Sequence, residues 1–368
     1  MKIGLIDVDG HHYPNLALMK LSAWHKGNGD DVEWYAPQTP WYDMVYMAKV
    51  FSDAYSPDIP APANAGKVVK GGTGYAIWME GDREVYHKEN DPPLPPEIEH
   101  IYPDYSIYPE YTGFGLSLKK QTAYGYLTRG CPRGCAFCHV APKEGRCSHK
   151  VADLSEFWHG QGKIVLCDPN ILACKDAPAL FSQLIESGAT VDFNQGLDAR
   201  LITPDTAELL AGMHITTPHF AMDSMSAMKS VEKGLRLYVE ACKRLRGKWS
   251  WRNAKVFCLT NFDTTHEEDM ERIALIQSCE CWPFVMIYNK AEAPQITRRL
   301  QRWTNNPTYY AASHLDFEEY QRTTYKRPVK EGRGRRLSES HAFGRRSAQA
   351  QADRGSARGR MALRDGVG

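Results

Sequence analysis

The first 130 residues contain no cysteine, although the chain of 368 residues holds ten. Thiolate chemistry is therefore excluded from the front third. No apolar run approaches the ~20 residues that a bilayer-spanning helix needs. The opening "MKIGLIDVDGHH" lacks the long apolar core and cleavage site of an export signal and reads as a first β-strand. A cytoplasmic address is expected, so the ten cysteines are not expected to form a disulfide framework. Net charge is also lacking, at +1, but its distribution is uneven. The last 43 residues, from Lys326, carry 12 Lys and Arg against 4 Asp and Glu, leaving 33 against 40 in the body. That tail has almost no apolar spacing and reads as disordered; its charge would suit a nucleic-acid contact or simple solvation.

The length allows two or three domains. Residues 1–85 alternate apolar strands ("KIGLIDVD", "VEWY", "YDMVYMAKVF", "KVVKGGTGYAIW") with one helical segment, "PNLALMKLSAWHKGNG", predicting a small flavodoxin-like or Rossmann-like α/β domain. Residues 86–118 hold six prolines between Pro92 and Pro109, interleaved with Tyr102, Tyr105, Tyr108 and Tyr111. Such a segment suits neither helix nor central strand and reads as a linker whose tyrosines pack on its neighbours. Residues 119–305 repeat a strand-helix rhythm six times, from "AYGYLTR" to "WPFVMIYN", predicting a partial (βα)6 TIM-type barrel. Thr203 and Thr265, each followed by acidic residues, mark helix starts. Residues 306–325 form a peripheral segment before the basic tail, 326–368.

One stretch interrupts this rhythm, "RGCPRGCAFCH", with Cys131, Cys135 and Cys138 in eight residues. It leaves the first barrel strand at its carboxyl end, where βα barrels carry their chemistry. Cys135, Cys138 and His139 also spell the attachment pattern for c-type haem, which belongs outside the cytoplasm and is a chance match once C-x-x-C exists. Three soft ligands suit zinc or an iron–sulfur centre. A structural zinc site wants four ligands, and Cys147 is the nearest fourth. Three cysteines on a cluster would leave one iron open. Cys167, Cys242 and Cys258 read as core residues, and His11, His12 and His139 as ordinary polar groups.

This cysteine spacing, with Phe137 before the last cysteine and a strand ahead of it, resembles the radical S-adenosylmethionine (SAM) superfamily. The resemblance spans residues 120–300 in strand order, and the cysteine motif is its only highly specific part. It implies that Cys131, Cys135 and Cys138 hold a 4Fe-4S cluster whose open iron binds SAM. An external electron donor such as flavodoxin or ferredoxin would then drive cleavage to a 5′-deoxyadenosyl radical. Phe137 would pack near the adenine. Asp168 and Asn170, in "CDPN", stand where many members carry a Gly-Gly-Glu that holds the SAM amino group. Arg200 would pair with the carboxylate, with Asn194, Gln195 and Asp198 beside it. Asp223 and Ser224 would meet the ribose, and Asn261 ends the fifth strand. Each of these polar residues has helix capping as an equal alternative. The front domain resembles a cobalamin-binding domain in its "KVVKGGTGY" turn but lacks the Asp-x-His-x-x-Gly ligand motif. It is expected to keep that fold without the cofactor. The competing reading is a non-catalytic zinc or iron–sulfur module associated with nucleic acid through the tail.

Overall fold

The apolar run after Met1 forms β1 (Lys2–Asp7), with Ile3 and Leu5 fully buried. It is an inner strand of a parallel sheet with β2 (Asp31–Trp34), β3 (Tyr42–Ala48) and β4 (Ala65–Gly71), in the order β2-β1-β3-β4. Only the first crossover is a full α-helix, α1 (Leu16–Gly27), which packs Leu18 and Leu21 onto Ile3 and Leu5. Asn15, not Pro14, starts it by accepting from the Leu18 amide at 3.2 Å, the ordinary use of a short polar side chain at this position. The connections after β2 and β3 run without an α-helix, so the expected alternation is thinner than in a doubly wound domain. A hairpin of β5 (Ile77–Glu80) and β6 (Arg83–Tyr86) follows. The structure, a computed structural model, describes residues 1–10, 13–81 and 83–322. His11, His12 and the basic tail lie outside the described residues.

The Pro/Tyr-rich segment contains two single-turn helices, α2 (Pro96–Glu99) and α3 (Pro109–Thr112). This corrects the expectation that proline bars helix here. Each helix begins on a proline, where the missing N–H costs nothing. The tyrosines do tie the neighbours together. Tyr105 Oη donates to the Phe157 carbonyl at 2.6 Å and accepts from the Tyr124 amide at 3.1 Å. Tyr108 Oη donates to Asp7 Oδ2 at 2.7 Å. Met19 of α1, Tyr105 and Tyr108 all join the main apolar core, and residues 1–320 form one compact unit.

Six further parallel strands follow the rhythm read from the sequence. They are β7 (Thr122–Gly125), extended by the short β8 (Thr128–Arg129), then β10 (Lys163–Leu166), β11 (Thr190–Phe193), β12 (His219–Ala221), β13 (Lys255–Thr260) and β14 (Trp282–Ile287). Between β8 and β10 lie a short helix, α4 (Val140–Glu144), and a strand, β9 (His149–Lys150), that pairs antiparallel with β8. Helices α5 (Ala177–Ser187), α6 (Pro204–Gly212), α7 (Met228–Arg246) and α8 (His266–Ser278) fill the later crossovers. The strands form two parallel sheets, β11-β10-β7 and β12-β13-β14, joined by parallel bridges Val191↔Ile215 and Leu197↔Phe220. The architecture is mixed α/β with parallel sheets. Thr265 begins α8 with a reciprocal cap: its Oγ1 accepts from the Glu268 amide at 3.2 Å, and its amide donates to Glu268 Oε2 at 2.8 Å. After β14, α9 (Gln295–Thr304), α10 (Pro307–Ala312) and α11 (Phe317–Arg322) follow. Trp303, Tyr310 and Phe317 from these helices bury against Ile273 and Val285. Among the described residues no helix is long and apolar enough to cross a membrane.

Candidate functional site

Because the six strands run parallel, their carboxyl ends share one edge, and the cysteine loop lies there. The loop is closed at its base by β8 and β9, which pair Thr128 with Lys150 and Arg129 with His149. Glu144 fastens the entrance, taking Arg129 Nη1 at 2.9 Å and the Gly130 amide at 3.0 Å. Gly130 has φ +84°, and a Cβ there would stand 2.1 Å from the Cys147 carbonyl oxygen. Only glycine tolerates both demands. A Cβ on Gly134 would meet the Arg146 guanidinium at 2.7 Å.

The loop is then tied to the ends of successive strands. Beyond β10, Asn170 Nδ2 donates to Cys131 Sγ at 3.5 Å and to Asp198 Oδ2 at 3.2 Å. Beyond β11, Asp198 Oδ2 accepts from Arg133 Nε of the loop at 2.8 Å. Arg200 adds Nε to Asp198 Oδ1 at 2.6 Å and Nη2 to Oδ2 at 3.0 Å. Burial pushes the Asp198 carboxyl up, but the Arg200 and Arg133 hydrogen bonds hold it below its usual range. Burial raises the Cys135 thiol, with Cys138, Asp223 and Cys131 adding to the rise and Arg200 opposing it. Burial likewise raises Cys138, and Cys131 and Asp223 act in the same direction. Phe137 packs edge-to-face on Phe262 at 5.5 Å, and Phe262 on Tyr288 at 4.9 Å. Contacts or fields from the ends of β10 to β13 thus reach the loop, and Tyr288 after β14 backs Phe262.

Several predicted residues have partners within the chain. Asp168 is buried with both oxygens engaged. Oδ1 accepts from the Leu127 amide at 3.1 Å, and Oδ2 from the Thr128 amide and Oγ1 at 2.5 and 2.6 Å. It fixes the strand that delivers the loop, and burial lifts its carboxyl to about 6. Asp198 takes the capping role that was the alternative: it begins the turn after it, accepting from the Arg200 amide at 3.2 Å. Asp223 Oδ1 accepts from the Leu259 amide at 3.1 Å, and burial raises its carboxyl. Ser224 Oγ lies 3.1 Å from Ser226 Oγ. Asn261, at φ +61°, donates Nδ2 to the Tyr288 carbonyl at 2.8 Å. Asn194 and Gln195 are exposed and stand outside this network. His139 Nε2 lies 3.6 Å from Glu84 Oε2 on β6.

Three residues were not singled out in the sequence. Arg133 and Glu144 belong to the loop itself, and their signal was their place inside and just behind the cysteine motif. Arg272, on α8, is fully buried and donates to the carbonyls of Met222 (2.9 Å) and Leu259 (2.8 Å), with Asp269 as its ion partner. It locks the ends of β12 and β13.

Among the described residues no group of three or more His, Cys, Asp or Glu side chains stands ready to hold a metal ion. The three thiols lie within one another's fields. The donor chemistry fits an anionic cluster: three soft sulfurs, an amide N–H on one of them, and the Arg133 and Arg200 cations nearby. In addition, Asn170 Oδ1 is buried without a hydrogen-bond partner. No protein-family model matches this sequence, and a search of curated proteins finds no match.

Proposed function

We propose that the protein is a radical SAM enzyme built on a partial (βα)6 TIM-type barrel, with Cys131, Cys135 and Cys138 as ligands of a 4Fe-4S cluster. The observation that carries this reading is the attachment of a three-cysteine loop, through Cys131 and Arg133, to Asn170 and Asp198 at the ends of the next two parallel strands. When bound and reduced by an external donor, such a cluster cleaves SAM to methionine and a 5′-deoxyadenosyl radical that takes hydrogen from a substrate.

The chain's own part is to bind, orient and exclude water. Asn170 Oδ1, an acceptor with no partner, suits the α-ammonium of SAM in the role that Asp168, already engaged, is not free to play. Arg200 turns two donors onto Asp198, so its reach to the SAM carboxylate depends on its remaining N–H groups. The Phe137, Phe262 and Tyr288 rings offer an apolar wall suited to the adenine. Segments that follow the front sheet reach the helix behind the loop: Lys143 of α4 lies 3.3 Å from Asp91 and donates to Thr73 in the Gly-Gly-Thr turn. We read the front domain as keeping its fold without carrying cobalamin.

Anaerobic reconstitution with iron and sulfide, then dithionite and SAM, tests the proposal. Wild type should form 5′-deoxyadenosine and Cys135→Ala should not. Zinc uptake without iron would favour the non-catalytic module.

A further inference from the structure

The Asn170 side chain can be oriented without ambiguity from its neighbours. An amide's oxygen and nitrogen are nearly alike in shape, but one end of this amide faces the Asp198 carboxylate at 3.2 Å and the Cys131 sulfur at 3.5 Å. Asp198 is held ionised by Arg200 and Arg133 and can only accept. The end that faces it must therefore be the N–H end, and the second N–H of the same NH2 reaches Cys131. Asp198 fixes the direction of a donor aimed at one of the three cysteine sulfurs. The residue's backbone is anchored independently, since the Asn170 carbonyl accepts from Ser148 Oγ at 2.9 Å. A side-chain substitution leaves that anchor in place.

Resting on the cluster reading above, we propose that Asn170 is a positioning residue that sets the electron affinity of the centre through its N–H···S bond to Cys131. Reduction adds negative charge that spreads onto the ligand sulfurs. A hydrogen bond to a sulfur stabilises the reduced form more than the oxidised form and raises the reduction potential. Among the described residues, Cys138 accepts from the Val140 backbone amide, and Cys131 receives the side-chain donor of Asn170, so a side-chain substitution can remove the donor on Cys131 while the backbone donor on Cys138 stays.

The test is a redox titration of the full chain, reconstituted anaerobically and followed by the electron paramagnetic resonance signal of the reduced centre. Iron and sulfide are counted in each sample. Wild type is compared with Asn170→Leu, Asn170→Asp and Asn170→Gln. The leucine removes the donor at similar size. The aspartate keeps the shape and replaces the donor by an acceptor with a charge. The glutamine keeps an amide donor.

The expected order of midpoint potentials is wild type highest, Asn170→Gln near it, Asn170→Leu more negative and Asn170→Asp most negative, at equal iron content. If Asn170→Leu takes up no iron, Asn170→Asp, being isosteric, carries the comparison. Equal potentials in wild type and the variants that lack the donor would overturn the inference and leave the cluster reading standing. A glutamine variant as negative as the leucine would also overturn it, because shape rather than the donor would then set the value. A wild type that binds no iron would remove the cluster reading, and this inference with it.

Discussion

Arg133, between the first two cysteines, donates Nε to Asp198 Oδ2 at 2.8 Å, joining the cysteine loop to a turn 65 residues further along the chain. The same oxygen accepts from Asn170 and Arg200. A single carboxylate thus holds together the loop and the ends of two strands. Such a hub gives definition that no one contact on the loop provides.

Asp198→Asn should loosen the loop. The amide lacks the charge and one acceptor site, and it leaves Arg133 and Arg200 without their anion. Because both arginines are about a third exposed, the expected loss is about 1–2 kcal/mol rather than the larger cost of a fully buried pair. The Asp198 carboxyl is depressed in the folded state, so its contribution is present above the ordinary value of about 3.9 and fades as pH falls below it. Urea denaturation of wild type and variant should differ at pH 7, and the difference should shrink as pH falls below about 3.9.

Gly130→Ala should cost about 3 kcal/mol. A left-handed backbone conformation alone costs a side chain of order 1–3 kcal/mol, and the new Cβ would also press on the Cys147 carbonyl oxygen. The loop base would shift and iron retention after gel filtration should fall. Gly145→Ala, at φ +92° with open space around it, should carry the conformational cost alone and lose less.

Asp168 gives a pH signature of the opposite sign to Asp198. Its folded-state carboxyl stands at about 6, because burial outweighs the three hydrogen bonds it accepts. A raised value favours folding below the unfolded pKa, and that advantage is lost as pH rises through the folded one. The stability of wild type relative to Asp168→Asn should therefore decline from about pH 4 to pH 6 and level off above. Thermal or chemical melts across that window measure it.

Arg272→Met should destabilise the chain by about 3–5 kcal/mol, because it strands the buried Asp269 carboxylate and the Met222 and Leu259 carbonyls. The double variant Arg272→Met/Asp269→Leu should recover part of the loss. A double-mutant cycle by equilibrium unfolding reads the recovery directly.

The strand-helix rhythm was legible because each strand is an apolar run and each helix carries an amphipathic stripe. All six strands of the second region fall where that pattern puts them. The cysteine loop was legible because three thiols in eight residues is rare. What was not legible was the division of labour among the polar strand ends. Asp168 and Asn170 are two residues apart and look equivalent in sequence. Yet Asp168 is consumed by the Leu127 and Thr128 amides, while Asn170 faces Cys131. That choice depends on which backbone donors lie opposite, and these come from another strand. Arg272 was missed for a related reason: a charged residue on a helix normally faces water, and its burial follows only from carbonyls that two other strands leave unpaired.

The most direct measurement is the electron paramagnetic resonance spectrum of the reduced, iron-loaded protein before and after SAM is added. On the proposed reading, three cysteine ligands would leave one iron open, so SAM should change the g-values of the wild type. A spectrum that does not move in the presence of saturating SAM, on a fully loaded centre, would contradict the account.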